Sequence, residues 1–519
     1  MSESTPIRSP HLKNSLDYLT KRPAFSLFVI VCASLLLRLY YFPYNVPLIL
    51  DSLNYFFYAT DTSILGHFPS GYNFPNNGWP ALVSVFFSTF HFNNFLDYMT
   101  LQRLLSVSVS TLTTIPVYFL CNRFFNRTYS LLGALLFAFE PHVIQNSLLG
   151  ITDPLYILLA TTSLFLLMSN KIKAVYASFA IASLCAMARY EGLLLFGVLS
   201  IVFFLRFRRE NKVILRYLLG VSIFVLLLVP VAYVRIQTTG SDGLTSHIIA
   251  GGDSAITISS SENSKFGFLG FVATGFENLF KYLGWISLPF FIFFLPTGIY
   301  YIFKNRDYNK ITVIISIIIM TIPALYAYAR GIQDTRYLYI LYPLFCIMTI
   351  FTIQAIRKKM KASNIFLILI VGGIVFSSII FLDIKKYDYE HQRESFEVGN
   401  HVAVLANGIN DYYPEDSYII PAELPENWPA LKTSVNFHVH AISTQGFDSL
   451  EKYIKDSKSK GLTHLVLDGD KDRPAFLNDV YFHDEKYPYL LKVYDSTDNK
   501  LKYHVKIYQI NYNKFDQIN

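Results

Sequence analysis

Residues 364–390 read NIFLILIVGGIVFSSIIFLDIKKYDYE, and this stretch marks the main division of the chain. Its first twenty residues are apolar and long enough to cross about 30 Å of hydrocarbon as a helix. Charged residues become frequent directly afterwards, because residues 384–519 hold 37 of the 81 charged residues. We therefore predict a membrane domain over residues 1–383 and a soluble domain over residues 384–519.

The composition of the whole chain supports a membrane protein. Its 519 residues are 52% hydrophobic and 16% charged, whereas soluble domains carry about 25% charged residues. The net charge of +7 comes largely from short basic loops between apolar runs, so helix orientation in a bilayer explains it better than nucleic-acid binding. The four cysteines lie in apolar segments without metal-ligand spacing, which argues against a disulfide framework or a zinc site.

Eleven apolar stretches are long enough to be predicted as membrane spans. They lie near residues 24–42, 99–121, 129–148, 154–169, 174–188, 193–206, 214–236, 284–303, 311–328, 337–356 and 364–383. The first has no small-residue cleavage site, so we interpret it as a retained span rather than a removed signal peptide. Residues 80–95 are apolar but short, and we predict an amphipathic or re-entrant segment on the outer surface.

Basic residues alternate between the loops and predict the orientation. One set of loops, with the segment before the first span, holds twenty Lys and Arg residues, including Arg22, Arg127 and Lys361. Loops rich in Lys and Arg face the cytoplasm. The amino terminus is therefore predicted to be cytoplasmic, and eleven spans place the carboxy-terminal domain outside.

Acidic residues near the membrane collect on the predicted outer face, together with two arginines. These candidates are Asp51, Asp61, Asp153, Arg189, Glu191, Asp334 and Arg336. Carboxylates in or near a bilayer are costly and are therefore functional candidates. Structural roles remain open: Asp51 and Asp153 suit helix capping, Arg189 and Glu191 suit a structural ion pair, and Arg336 suits snorkelling to the interface.

This set of side chains suits one kind of chemistry. A carboxylate acts as a general base toward a hydroxyl or holds a divalent cation, and arginine recognises phosphate. Carboxylates and arginines together at the outer membrane boundary suit a polyprenyl-phosphate sugar, whose phosphate lies among the lipid headgroups and whose tail lies in the lipid. A divalent cation is thus a possible cofactor, and the acceptor is a protein, glycan or lipid hydroxyl.

Four sequence motifs resemble one known family. LDSLNYFFYATD at 50–61, PHVIQNSLLGITDPLYILL at 141–159, MARYEG at 187–192 and DTRYLYILYPL at 334–344 resemble the outer-loop motifs of GT-C glycosyltransferases. They are most similar to the dolichyl-phosphate-mannose protein mannosyltransferase and aminoarabinose transferase group. The resemblance implies an inverting transfer from a lipid-phosphate sugar, as in protein glycosylation, and matches Asp51 and Asp153 to the family's acidic positions.

On this reading each candidate has a role. Asp51 takes the proton of the acceptor hydroxyl, Asp153 orients the acceptor or helps to hold a metal, and Arg336 and Arg189 stabilise the departing phosphate. Four residues are secondary candidates: Tyr55, Asp61, Glu191 and Asp334. Two departures matter: residue 52 is Ser where many members have a second acid, and the tail contains no WWDYG string, which argues against an N-glycosylation oligosaccharyltransferase.

Two other functions remain open, a lipid-linked-sugar flippase or transporter and a non-catalytic assembly subunit. A transporter predicts charges in mid-span and internal repeats, which the sequence does not show. The tail alternates short apolar runs with helical patterns and is predicted to be an α/β domain. Helices are predicted near 387–407 and at 449–461, and strands at 417–422, 436–442, 462–469, 489–496 and 503–510. The polar loop at 237–283 is interpreted either as a substrate gate or as a disordered segment.

Overall fold

The chain is mainly helical in the computed structural model, which describes residues 22–70, 72, 76–246, 249, 267–304, 307–361, 364–411, 439–469 and 473–518. The helices of the amino-terminal three quarters are α1 Pro23–Tyr40, α2 Leu50–Leu65, α3 Gly78–Thr89, α4 Phe95–Leu112, α5 Thr114–Cys121, α6 Arg127–Ala138, α7 Pro141–Ser147, α8 Asp153–Leu167, α9 Ile172–Ala188, α10 Leu193–Phe207, α11 Val213–Thr239, α12 Gly267–Ile286, α13 Phe291–Phe303, α14 Tyr308–Met320, α15 Ile322–Ala329, α16 Tyr342–Met360 and α17 Asn364–Ile384. Two 3₁₀ helices, Tyr190–Gly192 and Thr335–Leu341, precede α10 and α16.

The chain forms two compact units. The first comprises the described residues of Met1–Phe42, Phe68–Val83 and Arg103–Lys386. The second comprises those of Pro43–His67, Ser84–Gln102 and Tyr387–Asn519. The carboxy-terminal segment thus forms a compact unit with two segments from the first connecting region of the chain.

Seven helical segments of the described chain are long and apolar enough to cross a membrane, or eight if the bent pair Phe268–Ile286 and Phe291–Phe303 forms one span. Eleven spans are predicted from the sequence, and when the bent pair is counted as one span the difference of three lies in three consecutive segments. The segment predicted at 129–148 is divided into α6 and α7 at Glu140, and α8 and α9 are only 15 and 17 residues long. Residues 80–95 overlap the 12-residue helix α3, Gly78–Thr89, which is too short to meet the same criterion.

Apolar side chains cover both the inside and the outside of the first unit. Leu226 and Phe293 are 70% and 76% exposed, as is usual where lipid rather than water surrounds a helix. Inside, α9 packs against α8 and α11, and α13 packs against α16. Gly298 allows the last pair to approach, because a Cβ there would collide with the carbonyl of Met348.

The carboxy-terminal part of the second unit combines helices with two small sheets. Its elements are α18 Glu390–Leu405, β1 Gly408–Asn410, β2 His440–Ile442, α19 Leu450–Lys458, β3 His464–Leu467, α20 Ala475–Phe482, β4 Leu490–Asp495, β5 Lys506–Ile510 and α21 Tyr512–Ile518. Strands β1 and β2 pair in parallel, and β5 lies between β3 and β4 with antiparallel pairing on both sides. Leu465 is opposite Tyr508 in this register, and both side chains are buried in the core under α19 and α20.

Most elements predicted for the tail are present. The helix predicted at 387–407 and the strands predicted at 462–469, 489–496 and 503–510 correspond to α18, β3, β4 and β5. The apolar run at 417–422 and most of the loop predicted as a gate lie outside the described residues. The larger sheet is antiparallel, whereas alternating strands and helices usually indicate a parallel one.

Candidate functional site

An ion cluster lies where α8 begins and α9 ends, within the first unit. Arg189 donates from Nη1 to Asp153 Oδ1 at 2.5 Å and from Nη2 and Nε to the two carboxylate oxygens of Glu191, at 2.7 Å and 3.2 Å. The side chains of Asp153 and Glu191 are 3% and 4% exposed, and that of Arg189 is 13% exposed. One guanidinium therefore forms ion pairs with two buried carboxylates, one at the start of α8 and one just after α9.

A side-chain hydrogen bond and a close backbone approach define the two chain turns that carry this cluster. The Thr152 hydroxyl donates to the carbonyl of Ala188 at 2.9 Å and joins the start of α8 to the end of α9. Gly192 lets the chain fold back on α9, because a Cβ there would lie 2.6 Å from the backbone carbonyl of Cys185. The positions of Asp153 and Glu191 are thus set by the backbone of two adjacent helices.

Residues 76–79, which are distant in sequence, form hydrogen bonds to the same turns. Asn76 Oδ1 accepts from the backbone N–H of Tyr190 at 3.2 Å, and the Trp79 indole donates to the Gly150 carbonyl at 3.2 Å. Asn77 Oδ1 accepts from Arg235, which is buried at the end of α11. A polar stretch of the first connecting region is therefore part of the wall of this site.

Asp153 does not act as a helix cap, so the capping interpretation of this residue is wrong. Thr152 is the residue before the helix, and Asp153 Oδ1 bonds Arg189 rather than a backbone N–H. Its other oxygen, Oδ2, is buried and has no hydrogen-bond partner among the described residues. A buried carboxylate oxygen in this state is suited to accept a hydrogen bond from a substrate hydroxyl or to bind a cation.

The 3₁₀ helix Thr335–Leu341 packs against α8 and carries the second ion pair. Arg336 donates from Nε to Asp334 Oδ2 at 2.7 Å, and both side chains are 28% exposed. Both charges act electrostatically on Asp153. Arg336 therefore belongs to the same charged region as Asp153, in a more accessible position than Arg189.

Aromatic rings border the cluster. The guanidinium carbon of Arg189 lies 5.8 Å from the ring centre of Tyr156 and 5.7 Å from that of Tyr337. Cation–π contacts of this kind stabilise a buried guanidinium and restrict its movement. Arg189 is thus held by two carboxylates and two rings, which suits positioning of Asp153.

Within the described part of the chain, no three His, Cys, Asp or Glu side chains meet in a group that could hold a metal ion. Both oxygens of Glu191 and one of Asp153 bond Arg189. The described acids therefore do not form a ready-made cage for a divalent cation, although Asp153 Oδ2 could supply one ligand.

Three candidates from the first connecting region lie in the second unit, on α2. Asp51 is exposed in the first turn of this helix, while Tyr55 and Asp61 are buried. Ile49 is the residue before the helix, and Ser52 supplies the cap by accepting from the Ile49 N–H at 3.1 Å. The interpretation of Asp51 as a simple N-cap is therefore wrong. Leu50 has a φ of 47°, an unfavourable conformation of the kind found at functional sites.

The structure also reveals a buried pair whose partnership the sequence does not identify. Glu140 Oε1 lies 2.8 Å from His142 Nδ1, and the two residues are 0% and 3% exposed. The rings of Phe381, Tyr339 and Trp285 surround the imidazole, with centroids 4.9–6.2 Å away. The string Glu-Pro-His at the end of a predicted span is the signal that could have identified this pair.

Comparisons with known proteins place the fold. No family model and no curated protein matches the chain, but solved structures do. The Archaeoglobus fulgidus oligosaccharyltransferase in complex with Zn and sulfate is 14% identical, with a TM-score of 0.58 over 87% of this chain and 69% of that chain. AglB from the same organism, in complex with an inhibitory peptide and a dolichol-phosphate, is 12% identical, with a TM-score of 0.53 over 89% and 71% of the two chains.

A second kind of membrane enzyme matches over nearly its whole length. ArnT from Cupriavidus metallidurans bound to undecaprenyl phosphate is 10% identical, with a TM-score of 0.58 over 93% of this chain and 97% of that chain. AglB and ArnT are both membrane glycosyltransferases of the GT-C superfamily. The protein therefore has the GT-C fold, which its outer-loop motifs predict.

Proposed function

We propose that the protein is a membrane glycosyltransferase that moves a sugar from a polyprenyl-phosphate donor to an acceptor hydroxyl. The observation that carries this proposal is the buried Asp153–Arg189–Glu191 cluster, next to the Arg336–Asp334 pair, in a chain of GT-C fold. Solved structures of this fold contain dolichol-phosphate and undecaprenyl phosphate, which supports a lipid-phosphate donor.

In the proposed reaction the acceptor oxygen attacks the anomeric carbon from the side opposite the phosphate. The bond from the sugar to the phosphate breaks, the configuration inverts, and the lipid phosphate leaves. Asp51 takes the proton of the attacking hydroxyl, for which its exposed position at the start of α2 is suitable. Asp153, through Oδ2, orients the acceptor or binds a cation.

The two arginines have different roles in this proposal. Arg189 is bonded to two carboxylates and positions Asp153. Arg336 bonds Asp334 and is 28% exposed, compared with 13% for Arg189, and this more accessible position suits it to bind the departing phosphate. Glu191 and Asp334 would support these arginines, and Tyr55 and Asp61 would support the α2 side.

The proposed orientation follows from the basic loops. The amino terminus would be cytoplasmic, and the site and the carboxy-terminal unit would lie on the outer side of the membrane. The acceptor would be a protein, glycan or lipid, and the donor sugar a hexose such as mannose on a dolichyl-type phosphate, as the motif resemblance suggests.

The test uses purified protein in liposomes, with radiolabelled polyprenyl-phosphate sugars and a panel of peptide, glycan and lipid acceptors. We expect label in an acceptor, a loss of 10²- to 10⁴-fold in rate for Asp51→Asn, and a loss of about 10²-fold for Arg336→Ala. Asp456→Asn, which replaces an exposed acid of α19, is the matched control and should keep full activity.

Other outcomes would identify the alternatives. Movement of the intact donor across the liposome membrane without transfer of label would indicate a flippase or transporter. No transfer and no movement, with unchanged assembly of a partner complex in the Asp51 and Asp153 variants, would indicate a non-catalytic subunit.

A further inference from the structure

An apolar cavity of about 260 Å³ lies between α1, α6 and α17 in the first unit. Its walls include Ser26 and Ile30 of α1, Leu131 and Leu135 of α6, and Leu367 and Val371 of α17. The Ser26 hydroxyl donates to the carbonyl of Arg22 at 3.3 Å. The cavity is therefore suited to a hydrocarbon chain and offers nothing to a polar ligand.

The three helices that form the cavity run in the same direction. Each contributes a residue near its first turn and another one or two turns further on, and their first residues are Pro23, Arg127 and Asn364. One end of the cavity is thus formed by three helix N-termini, which carry partial positive charge. None of these helices has an acidic residue in its first turn to neutralise that charge.

Basic side chains strengthen the positive charge at this end. Arg22 precedes α1, Arg127 begins α6, and Lys361 lies three residues before α17. Arg357, in the last turn of α16, donates to the hydroxyl of Tyr129 at 3.2 Å, in the first turn of α6. An anion at the mouth of the cavity would therefore meet cations from several parts of the chain.

We propose that this cavity binds one acyl chain of an anionic phospholipid, with the lipid phosphate at the three helix N-termini. An apolar cavity alone would accept any acyl chain, but the surrounding cations select a negatively charged headgroup. The basic loops assign this end to the cytoplasmic leaflet. Glu140 follows the opposite end of α6, so the lipid site and the buried Glu140–His142 pair lie at different ends of this helix.

The inference does not depend on the proposed function, and binding is measured without an activity assay. The full-length protein is purified in detergent, incubated with equal amounts of phosphatidylglycerol and phosphatidylcholine, and analysed by native mass spectrometry. We expect phosphatidylglycerol to be retained preferentially, and the preference to fall as salt is added.

Three variants separate the contributions of charge and cavity. Arg127→Gln should lower the retention of phosphatidylglycerol about fivefold and leave phosphatidylcholine unchanged. Val371→Trp should fill the cavity and reduce both lipids. Lys173→Gln, which removes an exposed lysine near the start of α9, should change neither.

Three results would overturn the proposal. Wild-type protein could retain the two lipids equally, or Lys173→Gln could reduce phosphatidylglycerol as much as Arg127→Gln. Added undecaprenyl phosphate could also displace phosphatidylglycerol completely from the wild type and fail to bind Val371→Trp, which would identify a polyprenyl chain as the occupant. A circular dichroism spectrum equal to that of the wild type establishes that each variant is folded.

Discussion

Replacing Arg189 by methionine is expected to destabilise the first unit strongly. The guanidinium bonds Asp153 at 2.5 Å and Glu191 at 2.7 Å, in a region where both acids are almost fully buried. Methionine has a similar length and no charge, so it preserves much of the packing and removes the neutralisation. Two carboxylates then remain buried near each other without a cation.

The expected size of the effect follows from the burial of the pair. Two unit charges about 4 Å apart attract each other by about 4 kcal/mol at an effective dielectric constant of about 20. Breaking a buried pair by removing one partner costs about 3–5 kcal/mol. We therefore expect Arg189→Met to lower the free energy of unfolding by about 3–5 kcal/mol, as measured by titration with SDS in mixed micelles.

An exposed pair in the same chain provides the matched control. Arg216 bonds Glu210 with side chains that are 41% and 44% exposed. Pairs of this kind contribute about 0–1 kcal/mol, so Arg216→Met should change the free energy of unfolding by less than about 1 kcal/mol.

A compensating variant tests the explanation itself. Adding Asp153→Asn and Glu191→Gln to Arg189→Met removes the uncompensated charges and should restore most of the lost stability. If Arg189→Met is as stable as Arg216→Met, or if the triple variant is no more stable than Arg189→Met, the reasoning is refuted.

Three further predictions concern packing, pH and a buried acid. Gly298→Val should destabilise the protein by about 1–3 kcal/mol, because the valine side chain would meet the α16 backbone. The control Gly197→Val should cost much less in the same SDS titration, because a Cβ at residue 197 meets nothing within 4 Å among the described residues. Burial lowers the pKa of His464 below its usual value of 6.5, so the unfolded chain binds the proton more tightly than the folded chain. The stability of the β3 region should therefore fall as the pH decreases through 6.5. Hydrogen exchange of peptides covering β3 should show this loss of protection, and His464→Gln should abolish the pH dependence of that exchange. Glu394→Ala should destabilise the tail by about 1–3 kcal/mol, because Glu394 accepts hydrogen bonds from the Ser496 hydroxyl at 2.8 Å and the Tyr503 N–H at 2.7 Å. The control Glu485→Ala, at an exposed position, should cost less than about 0.5 kcal/mol. Equal hydrogen exchange near Tyr503 in both variants would contradict this role of Glu394.

The elements with a continuous apolar sequence were predictable, and the interrupted ones were not. The span predicted at 364–383 corresponds to α17, Asn364–Ile384, because nothing in that sequence breaks the helix. The span predicted at 129–148 is broken because Pro141 follows Glu140, and Pro favours the first position of a new helix. Hydropathy alone measures length and does not show such a break.

The sequence identifies the charged residues of the site but not their partners. Arg189 and Glu191 are close in sequence, so their pairing is predictable, whereas the bond from Arg189 to Asp153 joins positions 36 residues apart. The roles of Asn76 and Trp79 also depend on distant contacts, with Tyr190 and Gly150. In the sequence these two residues are only part of a connecting region, and tertiary packing determines which groups they hydrogen-bond.

The energetics of the cluster argue that it is kept for its chemistry. Replacing a buried ion pair by apolar residues of similar volume is often neutral or even stabilising. A membrane bundle has many apolar alternatives for positions such as Asp153 and Glu191, and yet both are buried acids bonded to one arginine. We infer that the arrangement serves the proposed reaction, and the orientation of its groups supports this inference. Arg189 fixes one oxygen of Asp153, and the other oxygen has no partner among the described residues. A carboxylate held in this way is oriented before a ligand arrives, which is the property required of a group that must orient a hydroxyl or a cation during transfer of a sugar.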